Sequence, residues 1–122
     1  MKEAYCSYEI AKLLKEKGFD EPCFAYYEDD GTFRQSWSNY AIQNKTNPCF
    51  FGNAAPTIQM ACAWLREVHN LFILVGWNPT HKEYFTRIIN MTDGCPKRNI
   101  YEYTNYEDAV ESAIKYCLEN LI

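Results

Sequence analysis

Residues 56–89 constrain the fold most, because they read as one amphipathic helix that runs directly into two strands. The apolar residues of the helical part recur at the i, i+3, i+4 spacing that places them on one face. They are Ile58, Ala61, Cys62, Leu65 and Val68. Residues 71–75 are apolar at every position, so this strand needs cover on both faces, or a helix on one and a partner or loop on the other. A turn at residues 78–81 then leads to a second strand over residues 83–89.

Two further helices are predicted near the two ends of the chain. Ser7 can cap the first, which covers residues 8–17 and ends before Gly18. Thr104 and Glu107 fit a capping box for the last helix, in which Ile114, Leu118 and other apolar residues keep helical spacing to residue 121. Between the first two helices, Asp30-Gly31 separates two aromatic-rich runs, which predicts a hairpin with a type I′ turn.

The predicted order of elements is α-β-β-α-β-β-(β)-α, where the bracketed strand covers residues 100–103. This order indicates an α+β fold, with three helices packed on a mainly antiparallel sheet of four to five strands. A chain of 122 residues has the length of one domain, so residues 1–122 are expected to form a single domain. At that length, folding buries roughly two-thirds of the surface of the unfolded chain.

Composition limits the partners and the compartment. The net charge of −4 argues against general affinity for nucleic acid or an anionic membrane, since both depend on clustered Lys and Arg. No apolar run approaches the ~20 residues of a membrane span, and the first residues lack the apolar core of a signal peptide. We therefore expect a cytoplasmic protein with reduced thiols. None of its six cysteines stands at CxxC spacing, so we read most of them as small core residues and predict no metal site and no cofactor.

Two stretches lack any persistent period. Residues 38–55 would form a loop of about 18 residues, which is longer than compact domains usually contain. Such a loop is either functional or contains a short element of its own, and Phe50 and Phe51 form an apolar island in it. Residues 90–99 repeat this composition, with Asp93-Gly94 marking a turn.

Three stretches of the chain carry a resemblance. They are EIAKLLKEKGFDEPC at residues 9–23, APT at 55–57 together with WLREVHN at 64–70, and YEDAV at 106–110. Together they resemble a family of small proteins encoded by phages and prophages of gut bacteria. The resemblance covers the helices and the adjoining strand starts. It implies a small accessory protein of a mobile element and, since that family has no assigned activity, it implies no catalytic residue or cofactor.

A catalytic role rests on two loop cysteines, Cys49 and Cys95. A cysteine nucleophile needs a base or an electropositive setting that lowers its pKa. Lys97 and Arg98, which follow Cys95, are the one such setting in the sequence. Phosphate-binding Gly-rich loops, paired catalytic carboxylates and Ser/His/Asp sets are absent from the sequence, and His69 suits a structural role at a helix C-terminus. A small cysteine-dependent enzyme is therefore the third hypothesis.

The second hypothesis is a single-stranded nucleic-acid-binding protein. Its residues would be Lys97, Arg98, Tyr101 and Tyr103, where basic charge stands beside aromatic rings that can stack on bases. Tyrosine is equally the residue of protein-binding surfaces, because it offers a large area with few rotatable bonds. The acidic net charge decides in favour of protein binding.

The leading hypothesis is a non-enzymatic accessory protein that binds another protein, or a second copy of itself. Binding would use a Tyr- and Trp-rich sheet face and the loop over residues 38–55, which is then a binding site rather than a cover for the core. The aromatic content of 16% and the lack of a catalytic set motivate this hypothesis. The residues predicted to carry the binding are Trp37, Tyr40, Phe50 and Phe51.

Overall fold

The structure is a computed structural model that describes residues 4–35, 42–44 and 52–122, with all side chains except those of residues 98–102. Within these ranges the chain forms three α-helices and six strands, which confirms the predicted α+β class. The chain divides into two compact units, Met1–Thr57 and Ile58–Ile122. The single domain expected from the length stays a prediction. Every helix of the described ranges is too short or too polar to cross a membrane.

The first helix, α1 (Tyr8–Glu16), begins where the sequence predicts and ends one residue early. The Ser7 hydroxyl accepts a hydrogen bond from the backbone N–H of Ile10, which satisfies one of the first free donors of the helix. After the helix, Gly18 adopts a left-handed conformation with a φ of 93°. Phe19 then turns back and is fully buried, so the cap also contributes a core side chain.

The first unit contains a three-stranded antiparallel sheet with the order β2-β1-β3. Its strands are β1 (Ala25–Glu28), β2 (Phe33–Gln35) and β3 (Gly52–Ala54). The third strand lies in the stretch predicted as a loop, since Gly, Asn and Ala all have low strand propensity. Pairing with β1 determines its conformation instead. The long loop therefore does contain a short element.

The hairpin between β1 and β2 is confirmed, but the predicted type I′ turn is wrong. A type I′ turn needs positive φ at two residues, and here only Gly31 has it, with a φ of 91°. The Gly31 N–H donates to the carbonyl of Glu28 at 2.9 Å, and the Glu28 N–H donates to the carbonyl of Thr32 at 2.9 Å. This pattern fits a three-residue loop closed by a left-handed glycine, so Asp30 needs no strained backbone.

The second unit contains a separate antiparallel sheet with the order β4-β5-β6. Its elements are α2 (Ile58–His69), β4 (Leu71–Asn78), β5 (Glu83–Asn90), β6 (Pro96–Tyr103), α3 (Tyr106–Tyr116) and a π-helical end (Cys117–Leu121). The prediction of one sheet of four to five strands is therefore wrong. Because β3 gives the first hairpin a third strand of its own, the two hairpins build two sheets. The strand predicted over residues 100–103 exists but begins at Pro96.

Asn70 alone connects α2 to β4. It has a φ of 56°, the left-handed conformation that the sequence predicts for this position. Its carbonyl accepts a hydrogen bond from the N–H of Met91 at 2.8 Å, at the start of the turn after β5. The connection is therefore a single residue whose carbonyl is hydrogen-bonded to the turn after β5.

The register between β4 and β5 defines the two faces of the second sheet. One face contains the pairs Ile73–Ile88, Val75–Thr86 and Trp77–Tyr84, and the other contains Phe72–Ile89, Leu74–Arg87 and Gly76–Phe85. Ile88 and Thr86 are fully buried, and α3 packs against all three strands, so the first is the helix-covered face. On the second face no residue of β4 or β5 is buried. We call the second face, formed by Phe72, Leu74, Gly76, Phe85, Arg87 and Ile89, the open face.

The buried stripe of α2 differs from the prediction in its last turn. Leu65 is fully buried as predicted, but Val68 is 55% exposed, so its predicted burial is wrong. Trp64, which lies one turn earlier and also belongs to the apolar stripe, is buried, with its ring centroid 4.8 Å from that of His69 in an edge-to-face contact. The buried stripe therefore ends at Leu65, and the last turn of the helix exposes Val68.

The cap of α3 lies one residue later than predicted. Asn105, rather than Thr104, is the N-cap, and its side-chain oxygen accepts the backbone N–H of Asp108 at 2.7 Å. The Asn105 Nδ2 also donates to the Asp108 carboxylate at 2.9 Å. Asn105 and Asp108 thus take the positions predicted for Thr104 and Glu107, but the return contact comes from the Asn105 side chain, whereas a capping box uses the backbone N–H of the N-cap residue. The burial predicted for Ile114 and Leu118 is confirmed.

We predict that Thr86→Val raises the free energy of unfolding by about 1 kcal/mol. Thr86 is fully buried, and its Oγ1 has no hydrogen-bond partner among the described residues. Valine keeps the shape and removes the desolvated hydroxyl. Urea denaturation measures the change as a higher midpoint with an unchanged slope. Thr92→Val, at an exposed turn position, is the matched control, and an unchanged midpoint for Thr86→Val would show that the hydroxyl is satisfied.

We predict that Gly76→Ala lowers the free energy of unfolding by about 1–3 kcal/mol. The Phe85 ring lies directly over Gly76, where an added Cβ would overlap it. The same ring position explains why a glycine is accommodated inside a strand. In a double-mutant cycle, Phe85→Ala should remove most of the penalty of Gly76→Ala. Additive losses in that cycle would contradict the contact.

Candidate functional site

The residues of the leading hypothesis, Trp37, Tyr40, Phe50 and Phe51, all lie outside the described residues, as does Cys49. The described part of the predicted loop is attached to the core of its unit. Ile42 is buried and exchanges two backbone hydrogen bonds with Cys23, at 2.7 and 2.9 Å. Asn44 accepts the N–H of Ala54 at 2.9 Å and donates to the carbonyl of Phe19 at 2.8 Å. These residues of the loop therefore cover the core.

The residues of the nucleic-acid hypothesis are partly described. Lys97 forms an ion pair with Asp93 at 3.1 Å, and the hydroxyls of Tyr103 and Ser112 share a hydrogen bond at 2.5 Å. Arg98 and Tyr101 lie in β6, and their side chains are among those outside the description. Both described members thus already have partners within the chain.

Burial keeps three of the cysteines in the thiol form. Desolvation, with a smaller contribution from Glu21, raises the pKa of Cys23 to about 12. Desolvation also raises the pKa of Cys62 to about 11, against an opposing effect of Arg66, and the pKa of Cys117 to about 12, with Cys62 adding to the rise. Since the thiolate is the nucleophile, these three are poor nucleophiles at neutral pH.

Cys95 and groups of metal-binding side chains are the remaining candidates for chemistry among the described residues. Cys95 is exposed in the turn before β6, where its backbone N–H donates to the carboxylate of Asp93 at 2.8 Å. Over the described ranges, no three His, Cys, Asp or Glu side chains come together as a metal site would require. Among the cysteines that the structure describes, Cys95 is therefore the exposed one.

Three aromatic rings lie in contact at one end of the second sheet, and we call Trp77, Tyr84 and Tyr106 the aromatic row. Trp77 and Tyr84 are register partners in β4 and β5, with ring centroids 4.8 Å apart at 61°. Tyr106, the first residue of α3, meets Tyr84 edge to face at 5.9 Å and 84°. Trp77 is 49% exposed and Tyr106 is 45% exposed, while Tyr84 between them is half-buried.

The polar atoms of the aromatic row are free within the described part of the chain. Neither the indole N–H of Trp77 nor the hydroxyls of Tyr84 and Tyr106 form a hydrogen bond there. Glu83 and Glu107, next to two of the rings in sequence, form no ion pair with the described residues. The row therefore presents fixed apolar faces with unused hydrogen-bonding groups.

A second group of aromatic rings, in the first unit, has a structural role instead. The rings of Tyr8 and Tyr27 are 5.5 Å apart, and Phe33 lies 5.3 Å from Tyr27. The Tyr8 hydroxyl donates to the carbonyl of Asp29 at 2.9 Å, and that of Tyr27 donates to the carbonyl of Cys6 at 2.7 Å. Both hydroxyl protons are therefore already used in hydrogen bonds to the backbone and are not available to a ligand.

The sequence contains only part of the signal for the aromatic row. Aromatic residues flank the predicted turn on both sides, and aromatic cross-strand pairs stabilise sheets. A turn at residues 78–81 would, however, place Trp77 opposite Lys82. The loop in the structure lies one residue later, at 79–82, and this position pairs Trp77 with Tyr84. Tyr106 has no signal in the sequence, because only the position of the α3 cap brings it to Tyr84.

Comparisons with known proteins leave the site to be judged by its geometry. No protein-family model, no curated protein and no solved structure matches this chain.

We predict that iodoacetamide labels Cys95 of the native protein and spares Cys23, Cys62 and Cys117. At pH 8, a pKa of about 11 leaves only about one Cys62 in a thousand as thiolate. Peptide mass spectrometry on a Cys49→Ser background measures the site of labelling, and labelling in urea provides the fully reactive control. Rapid native labelling of Cys62 or Cys117 would contradict the burial of these thiols.

Proposed function

We propose that this chain is a non-enzymatic binding domain that docks another protein on the aromatic row. The main observation behind the proposal is that the Trp77 and Tyr106 side chains are exposed although their rings are packed in place. Both side chains expose close to half of their surface while their rings pack against Tyr84.

The energetics of binding favour rings that are already in place. Association costs about 0.5–1.5 kcal/mol for each flexible side chain that it immobilises. Edge-to-face contacts hold these rings before a partner arrives, so less of that cost remains. Trp and Tyr are also the residues that most often dominate the binding energy of interfaces.

The free polar atoms indicate how a partner would be oriented. The indole N–H and the two hydroxyls can each form one hydrogen bond to a partner backbone or side chain. Glu107, the residue after Tyr106, favours a partner segment with Arg or Lys, since Arg stacks on aromatic faces and pairs with carboxylates.

The proposed biological role, the source of the partner and the compartment rest on the sequence. The resemblance to small phage and prophage proteins supports an accessory role, with a partner from the phage or from its host cell. We propose the cytoplasm as the compartment, in line with the cysteine usage of the chain. Trp37, Tyr40, Phe50 and Phe51 remain proposed as additional binding residues.

We predict that Trp77→Ala and Tyr106→Ala each weaken partner binding by about 2 kcal/mol, or roughly thirtyfold in Kd. Affinity capture from nuclease-treated host lysate, followed by quantitative mass spectrometry, compares each variant with the unmodified protein. Phe24→Ala is the matched control, because Phe24 is 51% exposed and lies outside the row.

The proposal requires at least one protein whose recovery falls with both row variants and persists with the control. Equal recovery of every captured protein with Trp77→Ala would overturn it. Nuclease treatment excludes capture through bridging nucleic acid, which would otherwise imitate the second hypothesis.

A further inference from the structure

The outer edge of β4 differs from the other strand edges that the structure describes. The edge strands are β2 and β3 in the first sheet, and β4 and β6 in the second sheet. A free edge presents unpaired backbone groups, and proteins usually protect it by shortness, charge or proline. β2 and β3 are three residues long, and β6 carries Pro96, Lys97 and Arg98.

β4 has none of these protections. It extends over eight residues, LFILVGWN, without a charge or a proline. Among the described residues, no backbone hydrogen bond reaches its outer edge. Leu74 in its middle is 40% exposed and Trp77 near its end is 49% exposed. A long apolar edge of this kind is a template for pairing with another strand.

We propose that a second copy of the same chain occupies this edge, so that two β4 strands pair antiparallel and form one six-stranded sheet. The charge pattern selects this occupant. An uncharged strand places no like charges opposite each other when it pairs with itself, whereas self-pairing of β6 would bring Lys97 and Arg98 towards their own copies. A twofold axis also makes the contact self-limiting, because the β4 edges of both copies are then paired with each other.

The alternation of side chains limits the register, and the central position of Leu74 selects one of the registers that remain. An antiparallel pair related by a twofold axis perpendicular to the sheet keeps both open faces on one side, so open-face residues must oppose open-face residues. Leu74 is the open-face residue nearest the centre of β4. Pairing about Leu74 places Ile73 opposite the partner's Val75 and Phe72 opposite the partner's Gly76. Every opposed side chain is then apolar or glycine, and Asn78 stays outside the pair.

The dimer also extends the open face. Phe72, Leu74, Phe85 and Ile89 of both copies come onto one continuous surface with Arg87 on each side. In this register Trp77 stands opposite the partner's Leu71 at the end of the pair, but its side chain is on the helix-covered face, whereas that of Leu74 is on the open face. The two proposals can therefore fail separately.

Sedimentation velocity of the full chain tests the proposal, with an expected mass twice the 14.3 kDa of one copy. Leu74→Lys places two cations at the twofold axis and should give a monomer. Met91→Lys is the matched control, because Met91 is 43% exposed in a turn outside β4 and the same charge there should leave the dimer intact. Circular dichroism reports whether each variant folds.

A cross-linking variant keeps the test decisive if Leu74→Lys does not fold. Leu74→Cys, on a Cys49→Ser and Cys95→Ser background, should form a disulfide-linked dimer on treatment with diamide, whereas Lys97→Cys on the same background should not. A monomeric unmodified protein at 100 μM, a dimer that survives Leu74→Lys, or equal cross-linking at both positions would each overturn the proposal. Loss of the dimer with unchanged partner capture would leave the aromatic row as the binding surface and confirm that the two sites are separate.

Discussion

The pairing of β4 with β5 is the interaction on which the second unit depends. Eight consecutive residue pairs, from Leu71–Asn90 to Asn78–Glu83, fix the register without a break. A shift by one residue would exchange the two faces and move Ile88 and Thr86 from the core to the open side. The same register brings Trp77 opposite Tyr84. The core and the proposed binding surface are therefore set by one ladder of hydrogen bonds.

Local chemistry accounts for the parts of the fold that can be read from the sequence. The Ser7 cap, the left-handed Gly18 and Asn70, and the buried stripe of α3 all follow from the preferences of single residues or from helical periodicity. Such preferences act over a few residues and need no knowledge of distant parts of the chain. The α+β class follows from them because each element exposes one apolar face that must be covered.

The other features of the fold depend on contacts between residues that are distant in sequence, or on which of two neighbouring residues takes the same role. β3 exists because β1 offers it a partner, since Gly52 to Ala54 have no strand preference of their own. Asn105 and Thr104 are both good caps, and the contacts of Asn105 with Asp108 decide between them. Of the candidate site, the sequence predicts a hairpin with aromatic residues on both sides of its turn, but the Trp77–Tyr84 pairing depends on the turn lying one residue later than predicted. The role of Tyr106 was not, because it follows from where α3 lies on the sheet.

The single-residue connection at Asn70 has a mechanical consequence. With one residue between α2 and β4, and its carbonyl bonded to Met91, no slack exists to absorb a displacement of the strand. A displacement of the start of β4 is therefore expected to reach the C-terminal half of α2, which contains Trp64 and His69. The orientation of this helix end depends on the position of the strand, because Asn70 joins the two directly.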